Sequence, residues 1–130
     1  MDVAVTVIGG PVAIDPDVVA DLDVAERLAG ETRYGTGVAV VERLRSTGRV
    51  DVERVWAATG TNWPDAITAG PVLADLGHAL VLVDGAGHGH DGETAAWMGR
   101  FADRTADGRV IGGPHAVTDD AVTAFGLRLT

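Results

Sequence analysis

Cysteine does not occur among the 130 residues, which excludes both a disulfide framework and a thiolate metal site. Lysine is missing too, so all ten basic side chains are arginines. Serine occurs once, as Ser46 in an STG stretch that ends a helical pattern, and no G-x-S-x-G is present. Serine and cysteine nucleophilic catalysis therefore lack their parts. No GxGxxG or GxxxxGK[ST] follows a strand pattern, which removes the common nucleotide-phosphate signatures. No apolar run approaches the roughly 18 residues of a membrane span. Nor does Met1-Asp2 ahead of VAVTVIGG resemble a signal peptide, with its acidic start on a short apolar run. On that reading the chain is either cytosolic or a mature or excised piece of something longer.

Acid is abundant. Fourteen aspartates and five glutamates give a net charge of −9, which would repel a nucleic-acid backbone or an anionic membrane. Such a balance, without lysine, fits a high-GC or salt-adapted source, and it reads first as a solvated acidic face. Hydrophobic content of 46% is enough for a packed core in a single domain.

Strand and helix patterns alternate along the chain. Val3 to Ile8 (VAVTVI) reads as a strand ending in Gly9-Gly10-Pro11. Asp15, Pro16 and Asp17 then supply the cap, first-turn proline and dipole-facing acid of a helix start. After a short strand or extended link at VAERLAG (Val24 to Gly30), Thr32 caps a helix with the stripe Tyr34, Val38, Val41, Leu44. RVWAAT (Arg54 to Thr59) is a strand, Pro64 to about Leu76 a helix with Gly77 past its end, and ALVLV (Ala79 to Val83) a strand. The last shows no polar alternation, which predicts a place in the middle of a parallel sheet. Glu93 to about Thr105 reads as a helix presenting Trp97, Met98 and Phe101, and Arg109 to Ile111 as a final strand. The βα order predicts an α/β fold: one uninterrupted three-layer sandwich on a parallel sheet with right-handed crossovers.

The ends of the chain repeat each other. VIGGPVAIDPDVV (Val7 to Val19) returns as VIGGPHAVTDDAV (Val110 to Val122), an offset of 103 residues, with Thr118 replacing Asp15 at the capping place. Arg128-Leu129 echoes Arg27-Leu28 two residues early. The period is domain-sized, which reads as one full repeat over residues 24–126 preceded by the closing βα element of another over residues 1–23. This is either a window cut across a tandem array or a single unit that borrows that element.

Three stretches in order, ERLAGETRYGTG (Glu26 to Gly37), ATGTNWPDAITAGPVLADLG (Ala58 to Gly77) and VIGGPHAVTDDAV, resemble the signature segments of the cell-wall-binding repeat 2 family. The resemblance spans nearly the whole chain. It implies a Toprim-like, Rossmann-like α/β fold and a non-catalytic role at the cell surface, holding a host protein to an anionic wall polysaccharide. It also implies neighbouring repeats or a homo-oligomer as packing partners, and no cofactor. The catalytic form of that fold needs a glutamate and a DxD pair for magnesium, which no strand end here offers; Asp15 to Asp17 opens a helix instead.

The candidate polymer-binding or repeat-packing residues are Arg27, Arg33, Tyr34, Asn62, Trp63, Asp65, Leu80, Val81, Leu82, Gly112, Gly113 and Pro114. Each also has a plain structural reading. The arginines can hold a carboxylate or phosphate by a two-pronged bond, but in so acidic a chain one of its own aspartates is the nearer partner. Asp65 is expected to occupy the N–H groups at its own helix start. Trp63 is either a staple over that start or a platform for a sugar or a neighbouring repeat. Leu80, Val81 and Leu82 fall where the resemblance implies polymer anchoring, although strand packing accounts for them equally. Outside the family pattern, His88, His90 and Asp91, with Asp84 just before them and His115 as a further candidate, could ligate zinc, nickel or copper. A solvated loop with no rigid element to hold the geometry is the plainer expectation.

Overall fold

The structure, a computed structural model, describes residues 3–130. Its elements run β1 (Val5–Ile8), a 3-10 turn (Pro16–Val19), β2 (Val24–Leu28), α1 (Arg33–Ser46), β3 (Asp51–Thr59), α2 (Pro64–Asp75), β4 (His78–Val83), α3 (Gly92–Gly99), β5 (Asp107–Ile111) and α4 (Asp119–Leu127). Every strand pair is parallel. The α/β class and the parallel pairing are as the alternation predicts. The single sheet is not: β1 pairs with β2 alone, and a second sheet has the order β4-β3-β5. Both α1 and α2 pack against β4. The Leu82 carbonyl is taken by the Thr94 hydroxyl at 2.7 Å.

That order also corrects the place of β4. It is an edge strand, and β3 is central. All its side chains are apolar after His78 because both faces are covered, by different things. Ala79, Val81 and Val83 lie buried in the main core with Trp97, Met98 and Phe125. Leu80 and Leu82 point the other way, against Gly70 of α2 and Gly37 of α1. Helices thus cover the sheet on both sides.

The core is built from short β-branched and small residues on the sheet under a few large ones. Val52, Val55, Ala57 and Ala58 of β3 are at most 1% exposed, and Trp97 and Met98 of α3 close over the sheet. Burying Trp97 leaves its indole N–H in need of an acceptor, and Glu42 of α1 provides one at 2.7 Å. The predicted α1 stripe holds: Tyr34 and Val41 are buried, and Val38 and Leu44 pack against the cluster. Thr32 caps α1 as expected, its hydroxyl accepting from the Tyr34 and Gly35 N–H groups. Past the end of α2, Gly77 takes the left-handed conformation (φ 74°) that closes a helix. β1 starts two residues later than the pattern suggests, and α3 stops at Gly99, followed by turns through Arg104.

The two GGP segments fold alike in detail. Gly9 and Gly112 both have φ near 120° (129° and 119°), where a side chain would be strained. Ala13 and Ile14 N–H groups donate to the Gly10 carbonyl, and 103 residues on Ala116 and Val117 N–H groups donate to that of Gly113, all at 2.9–3.0 Å. The side-chain oxygens of Asp15 and Thr118 then cap the 3-10 turn and α4 respectively. Beyond the caps the copies part. Residues 119–127 form a helix, whereas the first copy makes only a four-residue 3-10 turn. The reason is support: Ala121 and Phe125 are buried against the sheet, whereas Val18 and Leu22, 103 residues earlier, are 75% and 50% exposed. A helix that has no apolar surface to cover gains little from extending. The Arg128-Leu129 echo is not a second β2 either, because Arg128 caps the end of α4.

Candidate functional site

All five strands are parallel within their sheets, so their carboxyl ends share one edge of each, and the turn loops collect there. In the larger sheet the chain leaves β3 for β4 on one side and returns to β5 on the other. This reversal opens a crevice above the strand ends, where open α/β sheets bind their ligands.

Arg27 stands in β2 and reaches back to the first GGP turn. Its Nη1 donates to the Gly9 carbonyl at 2.7 Å and the Ile14 carbonyl at 3.0 Å. The expected aspartate partner is replaced by main-chain carbonyls, which a turn this tight leaves without helix or sheet partners. Arg33 behaves similarly: it donates to the Gly60 carbonyl at 2.8 Å. Its guanidinium lies 6.0 Å from the centre of the Trp63 ring, in reach of a cation–π attraction. Tyr34 is buried over Gly60, where a Cβ would fall 2.6 Å from its ring. Burial and the nearby Asp84 charge push its phenol up. Arg33 and Tyr34 thus both hold the β3–α2 loop at Gly60.

Trp63 is 45% exposed and begins α2 without a side-chain cap. Asp65 does not fill that role. Its carboxylate lies instead against Gly112, where a Cβ would meet it at 2.8 Å. Asn62 stands exposed beside Trp63, and Gly113 and Pro114 are exposed at the second turn. No atom lies within 4 Å of where a Gly113 Cβ would be, whereas Gly10 in the first turn faces Ala29.

Two hollows meet along α1. One, of about 770 Å³, lies between the first GGP turn (Ile8 to Ala13), the start of α1 (Gly30 to Arg33, Thr36) and Trp63. The other, of about 240 Å³, is apolar and runs between α1, α2 and β4. Gly37, Val40 and Leu82 line both, which makes one continuous cleft. Of the three strand candidates, Leu80 and Leu82 open into it; Val81 is fully buried on the opposite face. The candidates therefore separate. Arg33, Trp63, Leu80 and Leu82 gather on the cleft, while Asp65, Gly112, Gly113 and Pro114 belong to the crevice between α2 and β5.

Glu93 is a residue that the sequence pattern did not single out. From α3 it accepts hydrogen bonds from the Thr32 hydroxyl (2.5 Å), the Thr32 N–H (3.0 Å) and the Glu31 N–H (3.3 Å). The Thr32 hydroxyl is the main cause holding its carboxyl below the usual range. It sits against Gly35 so tightly that no side chain fits there. The only hint in the sequence is the paired glycines of the GETRYG stretch, and nothing local pairs them with a residue about 60 positions on.

Asp91 is likewise built into the fold, and not with the histidines. It is 2% exposed and takes both prongs of Arg128, at 2.8 and 2.9 Å, with the Asp84 N–H at 3.0 Å. Burial pushes its carboxyl up, but the Arg128 fork and the Asp84 N–H outweigh it and hold the group low. The loop between β4 and α3 is not loose. Asp84, 4% exposed, accepts from the N–H groups of Ala86, His88 and His90 at 3.1–3.2 Å and winds the loop around its carboxylate. His115 does not join this group; Asp84, His88 and His90 come together instead.

The family model described as cell wall binding domain 2 (CWB2) matches residues 27–122. That is most of the chain, and it covers the crevice, the cleft apart from its wall at the first GGP turn, and the three signature stretches from Arg27 on. No curated protein and no solved structure matches the chain. The protein belongs to the CWB2 family, whose members are cell wall binding domains.

Proposed function

We propose that, as a CWB2 member, the chain is a non-catalytic module that holds a host protein at the cell surface by seating a wall polysaccharide in the cleft along α1. The observation that carries this reading is the cleft's make-up. An exposed indole, a fixed guanidinium and the Thr36 hydroxyl stand with an aliphatic floor at Leu80 and Leu82. Sugars present both an apolar face, which stacks on an aromatic ring, and a ring of hydroxyls that need hydrogen-bond partners. The charge of −9 opposes an anionic polymer, so binding depends on salt screening or on divalent cations between the two.

The test is sedimentation with purified cell walls across salt and calcium concentrations. Wild type is expected to be retained. Trp63→Ala, at an exposed position, is expected to bind about ten-fold more weakly with an unchanged unfolding midpoint. If wild type is not retained at any salt or calcium level, the reading fails.

A second reading has its own support. Val3, Ile8, Val12, Val18 and Leu22 are all at least half exposed. The second-copy counterparts of Val18 and Leu22 are buried on a sheet. The first GGP segment therefore presents a face made to be covered, and on this reading a neighbouring repeat or a second copy covers it, in a trimer-like or tandem assembly. Light scattering across a wide concentration range checks this, and a strictly monomeric mass sinks the homo-oligomer.

A further inference from the structure

Asp84, His88 and His90 present one carboxylate oxygen and two ring nitrogens, all within 4.8 Å of one another. The loop that brings them together is fixed by its backbone. Gly87 and Gly89 both take left-handed conformations (φ 77° and 79°), which other residues adopt only under strain. The N–H groups of His88 and His90 are spent on Asp84. The imidazoles themselves contribute little to this arrangement. The His90 ring lies 3.4 Å from Asp84 and is 74% exposed, and the two rings meet edge to face at 5.8 Å. Any residue but proline could supply those N–H groups, so the loop's fold does not account for two histidines there.

We propose that Asp84, His88 and His90 form a binding site for a divalent transition metal of the zinc type. Two imidazoles and a carboxylate suit zinc, nickel or copper better than calcium or magnesium, which prefer all-oxygen shells. A carboxylate has about four acceptor positions; the His88 and His90 N–H groups take both on Oδ2 and the Ala86 N–H takes one on Oδ1, which leaves one, on Oδ1, for the ion. The same N–H groups orient the carboxylate, as outer hydrogen bonds orient ligands in metal sites generally. Tetrahedral zinc with ligands at about 2.0–2.1 Å needs its donors closer than they stand here, and rotation of the two exposed rings closes that gap. Three protein ligands leave coordination positions open, at the carboxyl edge of the sheet beside the start of α4. Asp91 is not a ligand because Arg128 already holds both of its oxygens.

The proposal is independent of polymer binding and is tested on the tag-free full chain. Calorimetric titration with zinc is expected to show one saturable ion per chain. Cobalt is expected to give the visible absorption of a low-coordinate site. His88→Asn and His90→Asn should each weaken zinc by about ten-fold or more, with far-ultraviolet circular dichroism unchanged. His115→Asn, outside the cluster, should leave affinity as it was. The absence of saturable zinc binding would overturn the proposal. So would retention of wild-type affinity in the His88→Asn, His90→Asn double variant, or an equal loss in His115→Asn.

Discussion

Replacing Arg128 with methionine tests the ion pair that ties the end of α4 to the start of α3. The arginine side chain is 18% exposed and that of Asp91 3%, so the pair is shielded from solvent, unlike the exposed Arg43–Glu26 contact. Methionine keeps much of the stem's packing and removes both prongs of the fork. Asp91 is left with one N–H partner, from Asp84, and an unpaired charge. Stranding one member of a buried pair costs about 3 kcal/mol. In a chain of this size that lowers the melting temperature by about 10 °C. The pH dependence is the sharper criterion. In the wild type the Asp91 carboxyl is held below its unfolded value, so its stabilisation is full above that value, about pH 4, and fades as pH falls through the lowered one. In the variant burial, the largest single influence on the carboxyl, is opposed only by backbone N–H groups, so ionising it costs the folded state more as pH rises. The gap between the two proteins should therefore be widest near pH 7, narrower near pH 4, and narrower still as pH falls through the lowered wild-type value. Urea unfolding followed by tryptophan fluorescence, at both pH values and one fixed high salt concentration, measures it. A gap that does not change with pH, or one under about 1 kcal/mol at pH 7, would refute the assignment of a buried, paired carboxylate. Asp91→Asn in the Arg128→Met background should recover part of the loss, since it removes the stranded charge.

Two glycines separate close packing from open space. Gly60→Ala should destabilise by about 1–3 kcal/mol because its methyl meets the buried Tyr34 ring, whereas Gly113→Ala, with open space around it, should stay within about 0.5 kcal/mol; thermal unfolding of both variants decides it. Glu93→Ala should cost about 1–2 kcal/mol by leaving the Thr32 hydroxyl and two backbone N–H groups without their acceptor. The Glu93 carboxyl is held low, so the wild type's advantage should be present at neutral pH and lost as pH falls below the ordinary carboxylate range. A variant as stable as wild type at pH 7 would show that water replaces it without loss.

Much of the local structure is legible in the sequence because it rests on short-range chemistry. The Thr32 and Thr118 caps, the α1 stripe and the two GGP turns each need only a few adjacent residues of the right kind. The three signature stretches are legible for the same reason, and the family match spans them from Arg27 on. The candidate site is legible in part. Trp63, Arg33, Leu80 and Leu82 do gather, but no local pattern separates Leu80 and Leu82 from Val81. A period of two says that neighbours face opposite ways, not which face is left open.

Partners distant along the chain lie beyond the sequence. Composition points Arg27 to an aspartate, yet it holds carbonyls; spacing groups Asp91 with the histidines, yet it belongs to Arg128; nothing near Glu93 in the chain marks it at all. Composition can say that an arginine in an acidic chain will find an acceptor, but which one is a matter of packing. What the sequence determined alone was the order of elements, most of their caps and turns, and the family. The tertiary structure decided that the strands divide between two sheets and that β4 lies at an edge. It also decided that one GGP copy ends in a buried helix while its twin stays a short exposed turn. The division comes from range: propensity and capping act within one helical turn, whereas burial depends on what the rest of the chain places alongside.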